Sequence, residues 1–242
     1  MSTWVVGDIH GCYKDFMKLL KKLEIKKSDT VILIGDIIDR GPDSYKMIEW
    51  AMKNITTSGR YQMVLGNHED EVAIAYQYAL NRCKYKGESP EEVDISVMNC
   101  IYGFDEYMQE AGFYSVASVS HVVEWFRALP EFKKVQVLTP RGKDQKYVIA
   151  HSWYGEHLSR SEILWQRDID EITCKLLEDF DYKNDNDEIL IHGHTPTFMI
   201  DGHSGSVLFR DYSINIDTGC VFKDEGGYLS AIRLEDQKVI SV

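Results

Sequence analysis

The chain has 242 residues, 44% hydrophobic and 27% charged, the make-up of an ordinary water-soluble protein with enough apolar mass for one large domain. Against 27 Lys+Arg stand 39 Asp+Glu, and the resulting net charge of −12 argues against general affinity for nucleic acid or an anionic membrane, while leaving room for a local cationic pocket. The five cysteines are odd in number, widely spaced and without CxxC pairs, which argues against a disulfide framework or a structural zinc site. The first residues carry no secretion-signal features and no apolar run approaches the ~20 residues of a membrane span, so a cytoplasmic location is expected.

In chain order, Trp4 to Val6 reads as a short strand ending at Gly7-Asp8-Ile9-His10-Gly11. Tyr13, Phe16, Met17, Leu19, Leu20 and Leu23 then fall at helical spacing, with lysines available for the opposite face. The apolar run Val31 to Ile34 predicts a fully buried strand that delivers Gly35-Asp36-Ile37-Ile38-Asp39-Arg40-Gly41 at its carboxyl end. Pro42, Asp43 and Ser44 open a second helix carrying Tyr45, Met47, Ile48 and Ala51. A third strand, Tyr61 to Leu65, ends at Gly66-Asn67-His68-Glu69, and Val72 to Leu80 continue as helix. The same strand, polar turn and helix thus recur three times.

From Arg82 to Pro130 the pattern changes. Gly87-Glu88-Ser89-Pro90 breaks the chain, and the stretches Val93 to Met108 and His121 to Leu129 read as helical. This is a mainly helical excursion of one domain spanning 1–242, placed to cover the site. Beyond Pro130 strands dominate, at Val135–Leu138, Tyr147–Ala150, Ile189–Ile191, Val207–Phe209, Ser213–Ile216, Tyr228–Leu234 and Lys238–Val242. Pro140-Arg141-Gly142 is a hairpin turn between the first two, and a further helix is expected over Glu162–Phe180.

The polar residues collect at strand ends: Asp8 and His10, then Asp36, Asp39 and Arg40, then Asn67, His68 and Glu69, with His151, His192 and His194 after later strands. Parallel neighbouring strands bring the first three groups to one sheet edge, and burying that many ionisable groups together costs too much without a cation. Mixed Asp, His and Asn ligands suit Mn, Fe or Zn better than calcium, and there are enough for two ions. Two such ions ~3.5–4 Å apart polarise a phosphoryl group and activate water near neutral pH.

Gly7-Asp8-Ile9-His10-Gly11, Gly35-Asp36-Ile37-Ile38-Asp39-Arg40-Gly41 and Gly66-Asn67-His68-Glu69 resemble the GDxHG, GDxxDRG and GNHE motifs of the phosphoprotein-phosphatase (PPP) family of calcineurin-like metallophosphoesterases. Gly193-His194-Thr195-Pro196 and Ile216-Asp217-Thr218-Gly219 resemble carboxyl-terminal motifs of its bacterial and phage-type members. The resemblance implies an α/β fold, a four-layer αββα sandwich of two mixed sheets flanked by helices. It implies that Asp8, His10 and Asp36 hold one divalent metal, and that Asp36 bridges to a second held by Asn67, His151 and His194. Mn is the expected metal, with Fe, Zn or Co able to use the same ligands. His68 would be the general acid, aimed by Asp39. Arg40 and Arg167 would grip the phosphate, and attack by a hydroxide bridging the metals would be direct. The family has Gly-Gly or Ala-Gly after the histidine matched to His151, whereas Ser152 and Trp153 follow here.

The resemblance ranks a serine/threonine phosphoprotein phosphatase first, with a phosphorylated protein or small phosphoester as its partner. A symmetrical diadenosine tetraphosphate hydrolase comes second, and an inactive phosphate-binding regulatory module third. His192 is read as supporting or structural. Cys12 is read as a small packed residue in preference to a redox-sensitive thiol. Trp153, Tyr154, His157 and Trp165 divide evenly between packing and a substrate groove. Arg167 has the competing role of pairing with Asp168 or Asp170. The acidic run Asp181 to Glu188 lacks the glycine and closing glutamate of a calcium loop and is read as solvated.

Overall fold

A computed structural model describes residues 1–155, 158–167, 188–200 and 203–242. The sequence's three repeating units are present as β1 (Thr3–Val6), α1 (Tyr13–Lys22), β2 (Thr30–Leu33), α2 (Ser44–Asn54), β3 (Tyr61–Met63) and α3 (Asn67–Lys86). They are followed by α4 (Phe104–Glu110), α5 (Ser120–Arg127), β4 (Phe132–Leu138), β5 (Asp144–Ala150), α6 (Arg160–Trp165) and β6 (Glu188–His192). The chain closes with β7 (Leu208–Phe209), β8 (Ser213–Asn215), β9 (Ser230–Arg233) and β10 (Lys238–Ser241).

These strands form two mixed five-stranded sheets, ordered β10-β9-β1-β2-β3 and β4-β5-β6-β8-β7. In the first, β1, β2 and β3 are parallel and in near register, Val6 opposite Leu33 and Leu33 opposite Met63, so their following turns emerge side by side. In the second, β5, β6 and β8 are parallel and the edge strands β4 and β7 antiparallel. All the polar turns of interest therefore lie at carboxyl ends of parallel strands, where α/β folds place their sites.

The alternation of side chains along each strand makes the layers. Val5, Ile32 and Ile34 face Tyr147, Ile149, Ile191 and Ile214 in the apolar seam between the sheets. The intervening Trp4, Val6, Val31 and Leu33 face outward onto Phe16 and Leu19 of α1, Met47 and Ile48 of α2, and Val72 and Tyr76 of α3. On the far side, Val148, Ala150 and Leu190 pack with Trp153 and Tyr154. Each fully buried Ile, Leu or Phe contributes ~1.5–3 kcal/mol, and the seam and outer layer together hold the two sheets in a helix-flanked sandwich.

Element ends follow local chemistry. α3 stops at Gly87, whose φ of 70° is left-handed, and the Glu88 N–H reaches back to the Cys83 carbonyl at 3.0 Å. The helix expected over Val93–Met108 is interrupted: a single 3-10 turn, Ile95–Met98, ends at Asn99 with φ 49°, and α4 starts only after Gly103 with φ 81°. The expected hairpin turn is closed by the Thr139 N–H bonding the Lys143 carbonyl at 2.9 Å. The helix expected over Glu162–Phe180 begins earlier, at Arg160, and ends at Trp165, where Gln166 is extended; residues 168–187, with Asp168, Asp170, Cys174 and the acidic run up to residue 187, and His157 lie outside the described residues.

Candidate metal centre

Asp36 sits at the focus of the strand ends, 1% exposed. Its Oδ1 accepts the His68 N–H at 3.0 Å, which points the amino-terminal end of α3 at the carboxylate. Its Oδ2 lies 3.4 Å from His151 Nε2, 3.6 Å from His10 Nε2 and 3.7 Å from His68 Nε2. Burial alone would raise the Asp36 carboxyl, but the surrounding His151, His68 and His10 outweigh it and hold it well below the usual range.

Glu69 builds the turn that carries Asp36. Its carboxylate accepts the backbone N–H groups of Asp36 at 2.9 Å, Ile37 at 2.9 Å and Gly66 at 3.1 Å. Gly66 is required beneath it, since a Cβ there would overlap Asp36 and Glu69. The motif placed Glu69 near the site without a role; the structure gives it this clamp. Five site residues, His10, Asp36, Asp39, Arg40 and His194, have left-handed φ between 45° and 69°, a conformation that non-glycine residues rarely adopt and that the close-packed turns enforce.

One group of ligands lies on the α3 side. The His151 Nδ1–H donates to the Ile34 carbonyl at 2.9 Å, so the neutral ring presents a lone pair at Nε2. That atom faces Asn67 Oδ1 at 2.8 Å and His194 Nδ1 at 3.2 Å, and His194 Nδ1 is 2.7 Å from the same Asn67 oxygen. Burial above all lowers the His151 and His194 pKa values against the opposing pull of the Asp36 carboxylate, and this favours the neutral rings. With the His194 proton on Nε2, the lone pairs that converge here repel unless a cation lies among them, so Asp36, Asn67, His151 and His194 would fit a divalent metal.

A second group lies toward β1. The His10 Nδ1–H donates to the Ile38 carbonyl at 2.9 Å, leaving Nε2 for the site, and burial above all holds this imidazole down at about 3. Asp8 is buried, with one oxygen accepting the His194 N–H at 3.1 Å and the other, Oδ1, without a hydrogen-bond partner among the described residues. Burial, together with Asp217 and Asp36, pushes the Asp8 carboxyl well above its ordinary range. Gly193 makes room for that oxygen, because a Cβ there would overlap it. Close by, His10, Asp36 and His68 offer ligand atoms within 4.8 Å of one another, and a buried carboxylate oxygen of this kind suits a divalent ion. Asp217, singled out only as part of a motif, joins this acidic corner; burial first, with Asp36 nearby, pushes it up to about 7.

His68 and Asp39 are in contact. His68 Nδ1 is 2.7 Å from Asp39 Oδ2, and the Asp39 N–H donates to Ser44 Oγ at 2.9 Å. Burial would lower the His68 pKa, but the Asp36 and Asp39 carboxylates overcome it and raise it, so the ring holds a proton. Arg40 lies with a guanidinium nitrogen 3.4 Å from His10 Nε2, flanked by the rings of Tyr102 and Phe222 at 5.3 and 5.8 Å. Arg167 is exposed just after α6, and its charge acts on His151, His194 and Asp217, while that of Arg40 also acts on Asp217.

The residues that replace glycine after His151 dock the Arg167 segment. The Ser152 hydroxyl donates to the Gln166 carbonyl, and the Ser152 and Trp153 N–H groups donate to the Ile163 carbonyl at 3.3 and 3.2 Å. Trp153 and Tyr154 are buried and pack, leaving Trp165, 36% exposed, as the remaining described candidate for a groove. His192 packs edge-on against Trp153 with ring centroids 5.2 Å apart, a structural position. Cys12 is buried with its thiol against the Cys220 carbonyl at 3.8 Å, as a packed residue would be.

Residues 1–216 match the family model of the calcineurin-like phosphoesterases, and the chain belongs to that family. It is 26% identical to the asymmetrical bis(5'-nucleosyl)-tetraphosphatase PrpE of Anoxybacillus flavithermus, over 98% of this chain and 92% of that one. It is 28% identical to the symmetrical bis(5'-nucleosyl)-tetraphosphatase of Methylobacillus flagellatus, over 100% and 95%. Its fold is similar to that of a protein serine/threonine phosphatase from Saccharomyces cerevisiae with similarity to human phosphatase PP5, with a TM-score of 0.60 and 17% identity, covering 100% of this chain and 79% of that one. The chain is thus a metallophosphoesterase, a metal-dependent phosphoester hydrolase by family.

Proposed function

We propose that this chain is a dinuclear-metal phosphohydrolase whose preferred substrate is a dinucleoside tetraphosphate. The metal reading is carried by the convergence of Asn67 Oδ1, His151 Nε2 and His194 Nδ1 within 2.7–3.2 Å beside Asp36. Asp8, His10 and Asp36 would hold one ion, and Asp36, Asn67, His151 and His194 the other, with Mn the first candidate. Bound ions supply Lewis acidity and a water activated near neutral pH. Around them, Arg40 and Arg167 grip the phosphate oxygens, a task that suits the planar guanidinium fork. His68, held by Asp39, gives a proton to the leaving oxygen. The substrate reading is supported by the two full-length relatives, both of which carry the tetraphosphatase name. The free buried thiols of Cys12, Cys83, Cys100 and Cys220 agree with a cytoplasmic location.

One observation favours phosphoserine or phosphothreonine protein as a second reading. The buried His68–Asp39 pair at 2.7 Å favours a charged imidazole at the site, and an alkoxide leaving group needs its proton far more than a departing nucleotide does. A single comparison decides: Mn-loaded protein is assayed with diadenosine tetraphosphate beside phosphoserine, phosphothreonine and phosphotyrosine peptides and simple monoesters. The dinucleotide is expected to have the highest kcat/KM, with two ADP or ATP plus AMP showing where it is cut. A decisive preference for a phosphopeptide would overturn the substrate choice. Full activity after exhaustive chelation would overturn the metal reading itself.

A further inference from the structure

The segment between α3 and β4 carries no family motif, yet it sends two aromatic side chains into the site. The Tyr107 hydroxyl, on α4, donates to Asp39 Oδ1 at 3.0 Å, while the other oxygen of the same carboxylate holds His68 Nδ1 at 2.7 Å. Tyr102, in the turn before α4, lies over the His68 ring with centroids 4.2 Å apart and planes inclined by 35°, and it supports the Arg40 guanidinium at 5.3 Å. α4 itself is anchored by the buried Phe104 and Met108, with Phe104 edge-on to Tyr107 at 5.5 Å.

An aspartate carboxylate turns easily about its last torsion, which is broad and two-fold. With one oxygen on His68 and the other free, Asp39 could swing and the imidazole with it. A tyrosine has only two side-chain torsions and little freedom to follow, so a hydroxyl on the second oxygen fixes the carboxylate plane. Burial, and Asp39 beside it, keep the Tyr107 hydroxyl protonated far above neutral pH, so it acts here as a donor. Tyr102 closes the remaining side of the imidazole.

We propose that Tyr107 is a positioning residue for proton donation: its hydroxyl locks Asp39, Asp39 holds His68 Nδ1, and His68 Nε2 is thereby aimed at the leaving oxygen. The inference rests on His68 being the proton donor in the proposed reaction. It gives the motif-free segment a role in the chemistry, because α4 completes a Tyr107–Asp39–His68 relay that the strand-end turns alone leave open at Asp39.

The test compares Tyr107→Phe with His68→Asn in Mn-loaded full-length protein, on aryl phosphates ranging from phenyl phosphate to 2,4-dinitrophenyl phosphate. Tyr107→Phe is expected to lower kcat on phenyl phosphate by about 10-fold, as loss of a partner behind a site residue does, with KM and metal content unchanged. The loss should shrink toward nothing as the leaving group becomes a stable anion. His68→Asn should show the same trend more steeply, and the double variant should be no worse than His68→Asn alone. An equal loss on every leaving group, or no loss, while His68→Asn keeps its trend, would overturn the role of Tyr107. No trend in His68→Asn would instead overturn the acid assignment beneath it. A measurement on the unsubstituted, zinc-loaded protein covers the case of a misfolded variant. The Tyr107 hydroxyl proton should appear as a slowly exchanging low-field NMR line beside that of His68 Nδ1–H, and its absence would also overturn the proposal.

Discussion

Asp36 and His68 touch through a backbone hydrogen bond, and His68 directly follows Asn67, a proposed ligand, yet their chemistry separates them. Removing charge from Asp36 takes the common oxygen from both ligand groups, so Asp36→Asn should lose bound metal and turnover together, read by elemental analysis beside a phosphate-release assay. His68→Asn leaves Asn67, His151 and His194 in place, so metal content should stay at the unsubstituted level while kcat on poor leaving groups falls by roughly 10²-fold or more. Parallel loss of metal in His68→Asn would show that the ring serves the ions and not the leaving oxygen. Most of these residues were legible in the sequence because each follows a strand as part of a short contiguous motif. Glu69 and Tyr107 were legible only in part or not at all. Glu69 acts on backbone groups more than 30 residues away, and the Tyr107 bond to Asp39 spans 68 residues with no motif at one end. A contact whose two halves are ordinary residues, joined only by the fold, leaves no local pattern to read.

At the scale of elements, hydrophobic period and turn chemistry locate β1, α1, β2 and β3 to within two residues, while α3 runs from Asn67 to Lys86, five and six residues beyond the apolar stretch Val72 to Leu80. The middle segment was less legible because its helices are short and their breaks are made by left-handed Asn99 and Gly103, which interrupt an otherwise continuous helical pattern. The start of β2 offers an element-scale prediction. Asp29, 6% exposed, accepts the Ser2 N–H at 2.7 Å and the Lys26 N–H at 2.9 Å, tying the chain's first residues to the turn that launches the central strand. Burial would raise its carboxyl, but the two N–H donors, with the nearby amino terminus, prevail and lower it. A depressed folded pKa means that the stabilisation is complete above the ordinary aspartate range, from about pH 5 upward, and is lost as pH falls through the folded value. Asp29→Ala should therefore cost about 2 kcal/mol at neutral pH, a drop in Tm of roughly 4–8 °C for a chain of this size. The gap between the two proteins should narrow below about pH 4. An unchanged gap at low pH would mean that the loss comes from packing and not from the carboxylate.

At the scale of the molecule, the proposed ligand set joins the two sheets. Asp8, His10, Asp36 and Asn67 follow strands of the first sheet, while His151 and His194 follow β5 and β6 of the second, and His151 reaches across to the Ile34 carbonyl. Between them lies an apolar seam, and at this end of the sandwich Asp8, Asp36 and Asp217 are three buried carboxylates. Bound ions would thus act on the whole sandwich as well as on the substrate, holding its open end together from both sides. A ligand that binds only the folded state at 100 times its Kd adds about 2.7 kcal/mol of stability, which for this length is a rise in Tm of roughly 5–10 °C. Scanning calorimetry of the unsubstituted protein with Mn and after chelation should show that difference, whereas Asp36→Asn should melt at nearly the same temperature in both. If the unsubstituted protein melts alike with and without metal, the sheets are held by their apolar seam alone, and the acidic end must be relieved by protons taken up on Asp8 and Asp217.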